Sequence, residues 1–201
     1  MNDNVYAPPK AELGPDSRSM AGVPFYVVSP RKFLILFIAT LSIYQVYWLY
    51  KNWALYRQAS GESLWPVPRA IFSVFFLHSL FRHVKAHKQE DAPGEWNNNA
   101  SAWAMVGLIV VSNTLSRLSS RAVGSPYTDW LSLLTLIPLA LCFLPVQNQI
   151  NARCGDPAGS SNDKLTGANL AWCVVGAIIW ILALIGLFAT DAVSNAGGSG
   201  F

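Results

Sequence analysis

The stretch Ala168–Thr190, ANLAWCVVGAIIWILALIGLFAT, runs from its first residue to its last without a charge. As a helix it would rise about 35 Å, more than the ~30 Å of bilayer hydrocarbon. A run of that kind has no place on a soluble domain, and it reads as a membrane crossing. Other apolar runs accompany it. Phe33–Tyr50 (FLILFIATLSIYQVYWLY) would rise about 27 Å. Ala102–Val111 continues as a more polar helix to about Arg121, and Trp130–Val146 carries Pro138 and Pro145 inside it. Prolines are tolerated within membrane helices, where they kink the axis. The segment around Ala70–Phe81 (AIFSVFFLHSLF) is only about 18 Å long as a helix, and its flanking polar groups scatter around the circle. It fits a short span with snorkelling arginines or a re-entrant helix.

Composition supports this reading. Charged residues make up 12% of the 201 and apolar ones 52%, against about 25% charged in soluble domains. That excludes a disordered chain, a collagen, a coiled coil and an ordinary cytosolic enzyme. A net charge of +3 is too weak to argue for nucleic acid and suits the flanks of membrane segments. Three cysteines without paired spacing form no disulfide framework.

The expected fold is therefore all-α: an integral membrane helical bundle with four transmembrane helices plus one short membrane-embedded or re-entrant helix. The expected segments are about 33–50, 67–84, 102–121, 130–147 and 168–190, within a helical domain over 25–190. Residues 1–24, with Pro8, Pro9, Pro15 and Pro24, read as a disordered tail, and 191–201 as a flexible C-terminus. No secretory signal is expected, because the first apolar run begins only at Phe33. Lys and Arg set the orientation. Five crossings with the N-terminus inside place nine inside and five outside; four crossings give at best eight against six. The positive-inside rule thus favours the former, with the N-terminus cytoplasmic.

Tyr44, Tyr47, Trp48, Tyr50, Trp53 and Tyr56 crowd the end of the first run. Such rings settle at the headgroup level, so they read as an interfacial belt rather than as a ligand site.

Few constellations point to chemistry. His83 and His87 share a helix face at a spacing that suits two imidazole ligands. However, no carboxylate or cysteine completes the set, and Arg82, Lys85 and Lys88 repel a cation. A basic, solvated helix end near lipid headgroups is the expectation, with no metal and no cofactor. His78 reads as an interhelical contact. Ser112, Ser116 and Ser120 recur every four residues, and Asn113, Arg117 and Arg121 do so one position on, forming a polar stripe. In lipid that stripe must face other helices, a cleft or the interface. Asn113, Arg117 and Arg121 are the candidate binding residues, for an anion or lipid headgroup on one reading and helix–helix hydrogen bonds on the other. Gln147, Asn148, Gln149 and Asn151 are placed to line an opposite rim. No acid lies inside an apolar run, as coupled transporters require. GxxxxGK[ST], HExxH, CxxC and GxSxG are all missing from the sequence.

Leu41–Trp53 (LSIYQVYWLYKNW) and Arg69–Arg82 (RAIFSVFFLHSLFR), with Tyr6-Ala7-Pro8-Pro9 ahead of them, carry a resemblance. Over roughly residues 25–90 the chain resembles a family of uncharacterised proteobacterial inner-membrane proteins of the domain-of-unknown-function type. The resemblance implies a helical fold in the bacterial cytoplasmic membrane. It implies no activity and no site residue. The expected function is that of a non-enzymatic accessory, scaffold or partner-binding component. Its partners would be the lipid bilayer and a membrane protein or a second copy, not nucleic acid. The alternatives are a small oligomeric permease or channel using the 102–121 stripe and, third, a membrane cofactor or metal-binding protein.

Overall fold

The computed structural model describes residues 22–87 and 95–197, with side chains as far as Phe188. Of the expected tail only Gly22–Pro24 falls among them, and residues 88–94 of the polar loop also lie outside. All regular structure among the described residues is helical.

Helix α1 (Pro30–Ala39) starts cleanly. The Ser29 hydroxyl accepts the Lys32 N–H at 3.2 Å, and Pro30 fills the first helical position, where no N–H is needed. The helix then stops well short of the expected end at residue 50. Leu41 N–H donates to Ile38 O at 3.2 Å and Ser42 N–H to Phe37 O at 2.9 Å, a Schellman end. Leu41 (φ 48°) and Ser42 (φ 68°) both take left-handed backbone, which costs a non-glycine residue about 1 kcal/mol. Thr40 bridges the turn: its hydroxyl donates to Leu36 O at 2.7 Å and accepts the Tyr44 N–H at 3.0 Å. Helix α2 (Tyr44–Ser60) follows and closes on Gly61 at φ 72°. The single helix expected over 33–50 is thus two helices across a tight turn.

The 67–84 segment is divided as well, into α3 (Pro66–Ile71) and α4 (Ser73–Ala86), which meet at Phe72. Helix α5 (Asn98–Ser120) begins under Asn97, whose Oδ1 accepts the Ala100 N–H at 3.0 Å. Helices α6 (Tyr127–Leu134) and α7 (Leu136–Arg153) join at Thr135. Pro138 explains the joint: it cannot donate to the Leu134 carbonyl and its ring crowds that group. Helix α8 (Gly167–Gly197) opens with a reciprocal cap, in which Asn169 N–H donates to Thr166 Oγ1 at 3.3 Å and Thr166 N–H to Asn169 Oδ1 at 3.1 Å. It continues past Thr190, so the expected loose end begins as helix. Among the described residues three helices are long and apolar enough to cross a membrane: Asn98–Ser120, Tyr127–Arg153 and Gly167–Phe188.

Pair contacts give the directions. Thr135 Oγ1 donates to Ser112 Oγ at 3.1 Å, so α7 returns antiparallel along α5. The Arg153 guanidinium donates to Lys85 O and His87 O, which places the ends of α7 and α4 together. We call this the proximal face; it also holds Ser29 and the N-termini of α5 and α8. The Arg121–Pro126 turn and the far end of α8 form the distal face. From the proximal face α1 runs inward to Ala39, beneath Gly176 of α8. Helix α2 then returns, its Tyr56 ring 4.3 Å from that of His83 near the end of α4. Helices α3 and α4 likewise leave and regain the proximal face through their joint at Phe72. Among the described residues the architecture is three long helices and two helical hairpins that enter from one face.

The core lies between α1, α2 and α7. Trp48 sits edge-on to Phe143 at 5.3 Å, and Phe33 lies 5.7 Å from the same ring. Trp48 and Trp53 are both fully buried. These two are core residues and do not belong to the expected interfacial belt. Trp48 packs on the apolar stripe of α7 and Trp53 on His83 of α4, which a count of aromatic residues along α2 alone does not reveal.

Candidate functional site

The proximal half of the bundle encloses an extended segment, Phe25–Ser29, every residue of which is buried. An extended chain inside helices has no strand to pair with, so its polar backbone groups need side-chain partners. Carboxamides supply them. Tyr26 N–H donates to Asn52 Oδ1 at 3.1 Å, and Gln147 Nε2 donates to Tyr26 O at 3.1 Å. Val28 N–H donates to Asn151 Oδ1 at 3.2 Å while Asn151 Nδ2 donates to Val28 O at 2.9 Å. Asn162 Nδ2 donates to Val27 O at 2.8 Å. Gln147 is itself fixed, accepting from Trp48 Nε1 and donating to Asn151 Oδ1 at 2.6 Å. Amides suit this role because one group both donates and accepts without a charge to desolvate.

The expected rim of Gln147–Asn151 is corrected here. Gln147 and Asn151 turn inward to Phe25–Ser29, Gln149 accepts from Arg153 Nε, and Asn148 is exposed. Because α5 and α7 are antiparallel, residues 147–151 lie at the opposite end of the pair from the stripe. The signal for their role was present in sequence: Gln147 and Asn151 share the buried stripe of Phe143, Val146 and Ile150.

The connection from α7 to α8 clasps the same segment. Asp156 accepts the Ser160 and Ser161 N–H groups at 2.9 and 2.8 Å. Burial works against its charge, but these bonds outweigh it and hold the carboxyl down at about 2. Gly159 (φ 67°) lies against the extended segment, where a Cβ would fall 2.6 Å from Ser29 N and Val28 O. Lys32 Nζ donates to Asn162 Oδ1 and Lys164 O, both at 2.7 Å, and Ser29 Oγ donates to Asp163 Oδ1 at 2.6 Å. Burial pushes the Cys154 thiol up to about 11, against a bond from the Phe25 backbone, which makes it a poor nucleophile.

The histidines are packed on aromatic rings. His83 lies against Tyr56 and Trp53, His87 is edge-on to Phe25, and His78 is edge-on to Trp103 of α5 at 4.6 Å. His78 therefore does touch a neighbouring helix, through its ring rather than a bond from Nε2, which has no hydrogen-bond partner among the described residues. Among the described residues no three His, Cys, Asp or Glu side chains converge as a metal would need.

The polar stripe of α5 is divided. Ser112 and Ser119 turn towards α6 and α7, bonding Thr135 and Asp129. Asn113, Arg117 and Arg121 are exposed, with Ser116 and Ser120 beside them. The three candidate binding residues thus form an outward-facing row at the distal end, away from the carboxamides.

A cleft of about 450 Å³ opens between α8 and the two hairpins. Gly176 brings α8 onto Ala39, where a Cβ would come within 2.8 Å of the carbonyl carbon, and Trp180 Nε1 donates to Ile38 O at 2.8 Å. Ala168, Asn169 and Trp172 of α8 face α2 and α3 across this wedge. Leu36, Thr40 and Ile43 close its inner end, and Tyr50, Val67 and Asn169 stand at its proximal mouth. Tyr44, Tyr47 and Tyr50 follow one another every three residues along a wall, and among the described residues none of the lining side chains is charged. Tyrosines expected in a belt thus line a cavity, and that spacing was their only sequence signal.

Compared with known proteins, the chain matches no family model, no curated protein and no solved structure.

Proposed function

We propose that this chain is a multi-pass membrane protein that works by binding a partner within the bilayer, an accessory or scaffold component rather than an enzyme. One observation carries this reading: Asn113 and Arg117 are exposed on a helix long and apolar enough to cross a membrane. Asn113 lies about 10 Å from the end of α5. Exposed to acyl chains, its carboxamide would be unpaired, whereas a second helix supplies partners worth about 1 kcal/mol per bond. The chemically able groups of the proximal half point the same way, since Asn52, Gln147, Asn151 and Arg153 are engaged in holding the chain's own backbone.

In this reading α5, α6–α7 and α8 cross, while α1–α2 and α3–α4 dip from one leaflet. Among the described residues nine Lys and Arg then lie towards the proximal face, and Arg117 and Arg121 towards the distal one. That asymmetry favours a cytoplasmic proximal face. The resemblance of Leu41–Trp53 and Arg69–Arg82 suggests the bacterial cytoplasmic membrane as the location.

A photocrosslinking residue at Arg117, in native membranes, should give a discrete polypeptide adduct, identified by mass spectrometry. The same residue at Leu182, on the exposed face of α8, should give none. Adducts at neither position, or at both equally, would remove the reading. The outward arginines also favour a second reading, an oligomeric permease whose copies close the stripe around a path. That one predicts solute flux in liposomes, lost on Arg117→Ala.

A further inference from the structure

We infer that the wedge between α8 and the two hairpins is a binding site for a single uncharged hydrocarbon chain, the acyl or isoprenoid tail of an amphiphile entering from the proximal leaflet. The inference shares the membrane placement proposed above but not the partner at α5. Four features carry it. The volume, about 450 Å³, falls within the ~300–1,000 Å³ of small-molecule sites. The lining is graded: apolar groups close the inner end, while Tyr50 and Asn169 stand at the mouth, where a tail joins its polar group. Among the described residues no charged side chain lines the cavity, which suits a neutral inserted part.

The fourth feature singles out a lipid tail over a peptide or another helix. The wedge's own wall is exposed at Ile43, Ile71 and Trp172, and Trp172 belongs to a membrane-length helix. The medium against that helix is acyl chains, and the mouth is open to it. Helix α8 is held to the end of α1 through Gly176 and Trp180, at the inner side of the wedge. A helix would need a broader groove and partners for its polar termini, whereas a chain of methylenes needs only width.

The experiment uses the full chain in native membranes fed, in separate arms, a diazirine fatty acid and a phospholipid with a diazirine tail. After irradiation, labelled peptides are mapped. The expected result is enrichment of about tenfold at the cleft wall, on peptides holding Tyr47 and Ile71, over the outer face of α8 around Ile181. The labelling arm identifies the source: a free amphiphile labels in the first alone, a membrane phospholipid in the second. Ile43→Trp and Ile71→Trp, at exposed wall positions, should each abolish the enrichment while leaving labelling at Ile181 unchanged. Labelling of the cleft and of Ile181 to the same extent would mean ordinary annular contact and overturn the site, leaving the membrane placement intact. A chain-to-chain crosslink filling the wedge would overturn it too. No label on α8 at all would remove both.

Discussion

Asn151 shows how much one side chain decides in this molecule. It is completely buried and serves both backbone groups of Val28 as well as the amide of Gln147. Asn151→Leu keeps a similar volume but strands the Val28 N–H and C=O without water. Each stranded group costs about 1–3 kcal/mol, so the loss should be about 3 kcal/mol in all. Thermal unfolding in mild detergent should show a clearly lowered midpoint, and amide exchange at Val28 should accelerate more than exchange in the distal half of α5. Unchanged exchange at Val28 would show that the carboxamide does not hold the segment. Little of this role was legible in sequence. A polar residue on an apolar helix stripe announces burial, but its partners lie in an extended segment 123 positions away, and periodicity carries no information over that distance.

At the scale of elements the long helices were legible and the breaks were not. Uncharged runs of the α8 kind have one solution in lipid, because every backbone group must be satisfied within the segment. The joint at Thr135 could be read from Pro138. The turn after Ala39 could not, because its left-handed positions are Leu41 and Ser42, where a sequence reader looks for glycine. The break at Phe72 carries neither Gly nor Pro. The outward row of Asn113, Arg117 and Arg121 was legible as a stripe, while its facing required knowing that α7 returns along the other side of α5. Helix α8 offers the sharpest test at this scale. Its glycine at 176 permits backbone contact with Ala39 and Thr40. Gly176→Leu forces the helices apart, at about 1–3 kcal/mol of overpacking, and withdraws Trp180 from Ile38. Proteolytic nicking between Gly155 and Thr166 should therefore quicken severalfold, while Gly186→Leu, where a Cβ meets nothing within 4 Å, should leave it at the wild-type rate.

For the whole molecule, the two hairpins change the balance of charge. Counted as crossings, the first two runs scatter basic residues over both sides. Counted as returns to the proximal face, they leave Arg117 and Arg121 as the distal pair among the described residues. The expected outcome is read with single cysteines in a background lacking Cys142, Cys154 and Cys173. On the proposed placement in a bacterial cytoplasmic membrane with the proximal face inside, an impermeant maleimide given to cells with a permeabilised outer membrane should modify Val123→Cys at once and Ser160→Cys only after lysis. Both positions are exposed on their respective faces. Equal modification before lysis would mean that α5 and α7 do not separate two compartments.

The embedded segment Phe25–Ser29 also imposes an order of events during biosynthesis. It leaves the ribosome before helices α1–α8, yet Asn151 and Asn162, which secure it, are made more than a hundred residues later. Until then its aromatic and valine side chains have no berth. Docking of this stretch therefore marks a finished molecule. A chain stalled before α7 would leave Phe25–Val28 without Gln147 and Asn151, a ready degron for the proteases that survey unassembled membrane polypeptides.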